Sequence, residues 1–382
     1  MVGVLDDSTS EVVFQYAPDF VRTQRELSPL AAPLSTRSYQ GRIFNNGLPG
    51  FIADSLPDGW GNLLLDRQLR RHGRRLEAVS PLERLCWVGS QGMGALEYEP
   101  ETSIAGFQPD AVVLDALALE AGRILEQEET SALDILSSLN GSSGGARPKI
   151  VCLVDENKIC FKRGTEAEDN FSPWLIKFRS SYDPKDQGVH EYICSRLAAA
   201  AGIDVPETHL FESRKGKGWF GSRRFDRTSS GKLHMVTAAG LLDCNFREPC
   251  LDWESVLALT QRLAGSTALL EQFRRCVFSY MIGNSDDHAK NFSFLMNRTG
   301  QWRTAPFYDC VPDIQAGAEH MTAVLGRGSK VERRHFLALA AKFDIDKFAA
   351  IKQIDRIAEA VSSYGSLAAT YGVKVPASVR PF

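Results

Sequence analysis

The sequence has no C-x-x-C pair. Its eight cysteines, at 86, 152, 160, 194, 244, 250, 276 and 310, are scattered singly, so neither a zinc site nor a disulfide framework is implied, and a reducing compartment fits. No run of about 18 apolar residues occurs, and "MVGVLDDSTSE" at the start has neither a charged nor an apolar leader segment. The expectation is a cytoplasmic chain, neither exported nor inserted in a membrane. Charge of one sign is also missing: the formal net charge of -3 gives no whole-chain basic field to hold nucleic acid, so any DNA role is indirect. The longest basic cluster, "RQLRRHGRR" at 67–75, lacks the interleaved apolar face of a recognition helix. Three catalytic signatures are absent as well. There is no H-E-x-x-H and no Gly-Lys-Ser/Thr, and "GSSGG" matches a hydrolase elbow only loosely, without the strand-turn-helix context.

What is present is an ordinary globular composition. With 382 residues, 43% hydrophobic and 24% charged, the chain can build two or three packed units. Residues 1 to about 60 carry short β-like stretches, "EVVFQY" and "SYQGRIF", broken by Pro, Gly and Asn. A helix is predicted in "DGWGNLLLDRQLRR", with Asp58 or Asn62 as its cap, and "PETSIAGFQPD" reads as a linker. "AVVLDALALEAGRILEQ" is amphipathic, and "TSALDILSSL" is a second short helix capped by Thr130 or Ser131. The period then changes. "KIVCLVD", "KICFKR", "PWLIKF", "THLFES", "KGWFGSRRF" and "LHMVTA" are strand-like, interrupted by one helix, "QGVHEYICSRLAAAAG", that ends at Gly202. A five-stranded antiparallel sheet with an inserted helix is expected, followed after about 250 by a mostly helical region. No internal repeat is present.

The chemistry-bearing stretch is "SYMIGNSDDHAKNFSFL", 279–295, where two carboxylates, a histidine, a lysine and an amide crowd between apolar runs. Asp286 precedes Asn291 by five positions, the spacing at which protein kinases place the catalytic-loop Asp and a Mg²⁺-binding Asn. An apolar run, a turn at "NRTG" and "APFYDC" then deliver Asp309, as a second metal-binding acid arrives in kinases. Alternation in "SPWLIKF" puts Trp174, Ile176 and Phe178 on one face and Lys177 on the other, the place of the phosphate-contacting strand lysine, with Glu191 as its candidate partner. "NGSSGGARPK", 140–149, is the candidate phosphate loop: Gly141, Gly144 and Gly145 free backbone N–H groups to face an anion, and Ser142 and Ser143 stand where a γ-phosphate would lie. Singly, each signal has a bland reading. "NSDDHAKN" fits a hydrated turn, Lys177 an edge-strand lysine, and Gly144 with Gly145 an ordinary turn. Together they fall in kinase order. His288 fits a base, a metal ligand or a structural donor, with support of the catalytic loop favoured, and Asp287 is the alternative base. His72, His190, His209, His234, His320 and His335 show no metal spacing and are read as surface or core residues.

These residues resemble the HipA-type serine/threonine kinase toxins of bacterial toxin-antitoxin systems. The resemblance runs through "FQYAPDFV", "FIADSLPDGWG", "GSSGGARPK", "WLIKF", "HEYICSRLAAAAGI", "RRFDR", "GNSDDHAKNFSFL", "APFYDC" and "RRHFLALA". It implies an α+β fold with a two-lobed, protein-kinase-like core: an N-terminal domain over 1–100, a sheet lobe over 101–240 and a helical lobe over 241–382. It implies Asp286 as catalytic base and Asn291 and Asp309 as Mg²⁺ ligands. ATP would be contacted by Lys177, Gly144, Gly145, Ala146, Lys149, His288 and Lys290, with Phe225 of "RRFDR" near the adenine. Autophosphorylation maps to Ser142, with Ser143 beside it. The usual substrates of the family are aminoacyl-tRNA synthetases, and its usual partner is a DNA-binding helix-turn-helix antitoxin, HipB-like. Two departures stand out: "VGVL" reads as the end of a first strand whose beginning is missing, and the loop has "ARPK" where the best-studied members have a glutamine and an acid. The other readings are a small-molecule (antibiotic-type) phosphotransferase and a catalytically silent co-repressor scaffold for a DNA-binding antitoxin.

Overall fold

The computed structural model describes residues 1–8, 11–102, 112–141, 144–180, 183–313 and 317–381. It divides into two units that alternate along the chain. Met1–Gly188 and Glu207–Met235 make the first, and Val189–Pro206 and Val236–Phe382 the second.

The first unit opens with a three-stranded antiparallel sheet of β1 (Gly3–Asp6), β2 (Val13–Tyr16) and β3 (Ser38–Tyr39), in which Phe14 lies opposite Leu5 on one side and Tyr39 on the other. Alternation explains β2: Phe14 and Tyr16 are buried while Gln15 faces out. Phe14 packs edge-on against Tyr16 and Phe51, with ring centroids at 4.7 and 5.5 Å. Gly3–Leu5 of "VGVL" lie in the edge strand β1, paired with β2. After Tyr39 the chain turns, and a Cβ on Gly41 would lie 1.7 Å from the Leu48 carbonyl oxygen, so only glycine fits this close backbone approach. The helices Gly59–Arg71 and Pro81–Val88 follow. Asp58, not Asn62, caps the first, accepting from the Gly59 N–H at 2.9 Å. The short helix Leu133–Ser138 starts after Ala132 with no side-chain cap; Thr130 instead accepts from the Ala132 N–H, two residues too early to cap it.

The main sheet has the order β5 (Phe161–Lys162), β4 (Lys149–Asp155), β6 (Phe171–Lys177), β8 (Trp219–Arg223) and β7 (Thr208–Phe211), antiparallel throughout. Ile150, Cys152, Trp174 and Ile176 from these strands and Phe178 just after β6 join Trp60, Leu64, Leu117, Ile124 and Leu136 from the helices in one core. The sixth strand-like segment does not enter this sheet. The chain leaves β8 at Arg224, whose buried guanidinium donates to the Gly92 carbonyl, and passes through the small hairpin β9 (Arg227–Thr228) and β10 (Gly231–Lys232). β11 (His234–Thr237) then pairs in another sheet.

In the second unit β11 is followed by the parallel pair of β12 (Leu251–Asp252) and β15 (Thr322–Ala323), and by the hairpin of β13 (Ser293–Met296) and β14 (Trp302–Thr304), where β13 neighbours β11. The helix Leu269–Ile282 is central, with Phe273, Cys276, Val277, Phe278 and Met281 all buried. It stops at Gly283, whose φ of 74° is left-handed and whose Cβ would lie 2.5 Å from that of Ser378. That stop releases the chain into the loop described below. Among the described residues no helix is long and apolar enough to cross a membrane.

Candidate active site

Asp286 and Asp287 are adjacent and have opposite surroundings. Asp286 is exposed; Asp287 is 1% exposed. The Asp287 carboxylate accepts from His320 Nδ1 at 2.8 Å and from the Thr322 N–H at 3.0 Å, and its carbonyl accepts from the Thr322 hydroxyl. Stripping such an acceptor of its donors would leave a buried polar group unsatisfied, which costs about 1–3 kcal/mol or more for a charged one. Asp287 therefore anchors the loop and is withdrawn from the role of alternative base. His320 completes the anchor: its ring stacks on Tyr280 with centroids 3.7 Å apart. The sequence gives no local sign of it, since thirty-three positions separate His320 from Asp287.

Asn291 Nδ2 donates to the Asp286 backbone carbonyl at 2.7 Å, which is what the five-residue spacing accomplishes. With the amide nitrogen committed there, its oxygen remains as the acceptor end. Asp309, at the end of the apolar approach, takes a left-handed φ of 56°, a conformation that Asp tolerates better than most residues and that tends to collect at functional sites. Tyr308 links the two segments: its hydroxyl donates to the Lys290 carbonyl at 2.7 Å and, having spent its proton, accepts from Ser293 Oγ at 2.5 Å. Asn291 and Asp309 supply hard oxygen donors. Among the described residues no group of three or more His, Cys, Asp or Glu forms a metal cage. The donor set suits Mg²⁺, which keeps several waters and binds through one or two carboxylates plus phosphates.

His288 and Lys290 flank this loop beside Phe246. The Lys290 ammonium lies 4.2 Å from the Phe246 centroid and the His288 ring sits edge-on at 5.6 Å. Arg247 covers the same ring at 4.6 Å. His288 Nδ1 is buried without a hydrogen-bond partner among the described residues.

The other candidates lie in the first unit. Lys149 and Lys177 are directly opposite in the β4–β6 register, so both side chains leave the same face of the sheet. Like charges so placed repel, and an anion between them would relieve the repulsion. The buried Lys149 ammonium donates to the Gly144 carbonyl, and Gly145 has a φ of 99°. Ala146 belongs to the same turn. The loop rests on the helix Gly59–Arg71: the Trp60 N–H donates to the Gly145 carbonyl and its indole N–H to the Lys149 carbonyl, both at 3.1 Å. A Cβ on Gly59 would lie 2.6 Å from Ala146 Cα. Gly59→Ala should therefore displace the loop backbone and cost about 1–3 kcal/mol, read as a lower urea midpoint at unchanged slope. Arg147 is bound by both carboxylate oxygens of Asp183, each at 3.1 Å. Ser142 and Ser143 lie outside the described residues.

Phe225 is half-buried in a turn held by the charged residues around it. Asp226 is fully buried and accepts from the Gly94 N–H at 2.7 Å, from Arg224 at 2.7 and 3.0 Å and from Arg227 at 2.8 Å. Arg224 and Arg227 also donate to the carbonyls of Gly92 and Gly94. Burial pushes the Asp226 carboxyl up, but the Arg224 charge and hydrogen bonds, the Arg227 charge and the Gly94 N–H outweigh it and hold the group below its ordinary value. Sequence reading passed over this cluster. Glu191 is buried on the helix Gln187–Ala200.

Comparison with known proteins adds two family models, two relatives and one solved structure. The model of the HipA N-terminal domain matches residues 1–99, and that of the HipA-like C-terminal domain matches residues 141–364. A Sinorhizobium fredii protein provisionally named kinase Y4dM is 28% identical over 361 residues, covering 87% of this chain and 80% of that protein. The serine/threonine-protein kinase toxin HipA of Shewanella oneidensis is 23% identical over 338 residues, covering 81% and 72%. The solved structure of a Shewanella oneidensis complex of HipA, HipB and operator DNA matches with a TM-score of 0.70 at 19% identity, covering 96% of this chain and 88% of that one, which shows the same fold.

Proposed function

Because this chain belongs to the HipA family of kinase toxins, we propose that it is an ATP- and Mg²⁺-dependent protein serine/threonine kinase. The observation that carries the reading is the loop in which the Asn291 amide fastens the backbone of an exposed Asp286 while the neighbouring Asp287 is buried and bonded. Asp286 orients the incoming hydroxyl and takes its proton. Asn291 and Asp309 hold the metal, which when bound neutralises charge developing on the transferred phosphoryl group. Lys177 and Lys149 provide positive charge to the phosphates, and the backbone of Gly144, Gly145 and Ala146 provides N–H donors. Phe225 packs beside the adenine, and His288 and Lys290 line the nucleotide side of the catalytic loop.

By the same reading the substrate is a component of translation, an aminoacyl-tRNA synthetase in the family pattern, and the chain phosphorylates itself on Ser142 or Ser143. Its partner is a HipB-like helix-turn-helix antitoxin, which supplies the DNA affinity that a chain with net charge -3 lacks. The support is the solved HipA–HipB–operator complex, whose HipA chain shares this fold. The setting is cytoplasmic.

Titration calorimetry tests the metal assignment. Wild-type protein should bind ATP in the presence of Mg²⁺ and lose most of that affinity in excess chelator, while Asp309→Asn should lose the Mg²⁺ dependence. Equal ATP affinity with and without the metal would overturn it. Transfer is read separately, by labelling from γ-labelled ATP.

A further inference from the structure

Arg275 is buried on the helix Leu269–Ile282, and the proposed transfer gives it no role. Its Nε donates to Glu271 Oε1 at 3.0 Å and its Nη1 to the Ala305 carbonyl at 2.8 Å. The same Glu271 oxygen accepts from the Asp204 N–H at 2.9 Å, and the Asp204 carbonyl accepts from the Phe307 N–H at 2.7 Å. Arg274 donates twice to the other carboxylate oxygen, at 2.5 and 3.1 Å. These bonds close a ring. Ala305 is tied to the helix through Arg275, and Phe307 is tied to it through Asp204 and Glu271. The Phe307 ring lies 6.0 Å from the guanidinium carbon and edge-on to Phe278 at 6.1 Å.

Asp309 stands two residues beyond Phe307. On its other side the chain is fastened to the end of the same helix. The Val311 N–H donates to Asn284 Oδ1 at 3.3 Å, the Asp313 N–H to the Gly283 carbonyl at 2.8 Å, and Ser285 Oγ to the Asp313 carboxylate at 2.7 Å. We infer that Arg275 and Glu271 form a clamp that positions Asp309 for the metal, by fixing the backbone that leads into it. The inference rests on the kinase reading of Asp309.

A buried ion pair is costly to take out of water, and an apolar side chain would fill the same space at less expense. Arg275 Nη2 is also buried with no hydrogen-bond partner among the described residues, so the arrangement does not maximise stability. What the charge gains is direction: a planar guanidinium bonds a carboxylate and a carbonyl at once in fixed geometry, which a point-like ammonium does not. Burial pushes the Glu271 carboxyl up, but the Arg275 charge, the Asp204 N–H and Arg274 outweigh it and hold the group below its ordinary value, so Glu271 is ionised at neutral pH. Loss of an outer support of this kind weakens metal binding by about 10–100-fold.

The test uses full-length protein with Mn²⁺ and a non-hydrolysable ATP analogue, read by electron paramagnetic resonance. Glu271→Gln keeps the shape of the side chain and removes its charge, while Arg275→Lys keeps the charge and removes the fork. Both should bind Mn²⁺ about tenfold or more weakly, with faster amide exchange over 305–311. In transfer assays the Mg²⁺ giving half-maximal rate should rise by a similar factor, while the rate at saturating Mg²⁺ stays within about threefold of wild type. Leu339→Ala, buried on the helix Arg333–Lys342, is the stability control: it should lower the urea midpoint and leave Mn²⁺ affinity and exchange over 305–311 unchanged. Should Arg275→Lys fail to fold, Glu271→Gln decides. Wild-type Mn²⁺ affinity in Glu271→Gln, or an equal loss in Leu339→Ala, overturns the clamp. If wild-type protein binds no Mn²⁺ with the nucleotide, the metal assignment of Asp309 itself fails, and the clamp's role toward it falls with that reading.

Discussion

Asp286→Asn should bind Mg-ATP with wild-type affinity and transfer phosphate about 10²–10⁴-fold more slowly, the range for loss of a positioned general base. The substitution keeps the size of the side chain and leaves the Asp286 backbone carbonyl in place to accept from Asn291. Asp287→Asn makes the instructive contrast. Its carboxylate is buried against His320 and Thr322, so that change should show first as lost stability and a loosened loop. Single-turnover labelling alongside urea unfolding separates the two. A labelling rate near wild type in Asp286→Asn would remove it as the base.

The second large effect concerns stability. Asp226→Ala should lose about 3–5 kcal/mol, because it removes the carboxylate shared by two buried guanidiniums, leaving Arg227 with Glu166 as its ion-pair partner and taking from Arg224 the buried carboxylate beside it. Urea unfolding reads the loss, and a variant with Asp226, Arg224 and Arg227 all replaced by apolar residues of similar size should recover much of it. The sign of the pH dependence follows from the depressed Asp226 carboxyl. Its contribution is fully present above the ordinary carboxylate pKa, about 3.9, and is lost as pH falls through the lower folded value. Wild type should therefore lose stability below about pH 4, and Asp226→Ala should lose less over the same interval.

The fold was legible where side-chain period and backbone chemistry agree. "KIVCLVD" and "PWLIKF" pair as β4 and β6, and the helix before Gly202 ends there in a left-handed turn. "LHMVTA" reads as a strand, but its partner is set by the tertiary structure, and local pattern cannot distinguish β13 from β8. The same limit explains the missed cap at Thr130, where a hydroxyl near a helix start was bonded two positions too early. Within the candidate site, the Asp-to-Asn spacing was visible because it lies in one loop. The supports were not. Trp60 reaches the glycine loop across 89 positions and Asp226 reaches Gly94 across 132, and neither partner carries a local signature of the other.

The alternation of the two units along the chain bears on how the molecule can be cut. No contiguous fragment contains either unit alone: a piece ending at Gly188 lacks β7 and β8, and a piece ending at Met235 carries the helix Gln187–Ala200 without the rest of its unit. That helix buries Val189, Ile193, Cys194, Leu197 and Ala198 in the finished protein. During synthesis the same apolar face emerges early and waits until residues beyond Val236 arrive, a period in which it is exposed to aggregation and to proteases. Truncation libraries should accordingly yield insoluble fragments across the interval from 189 to 235.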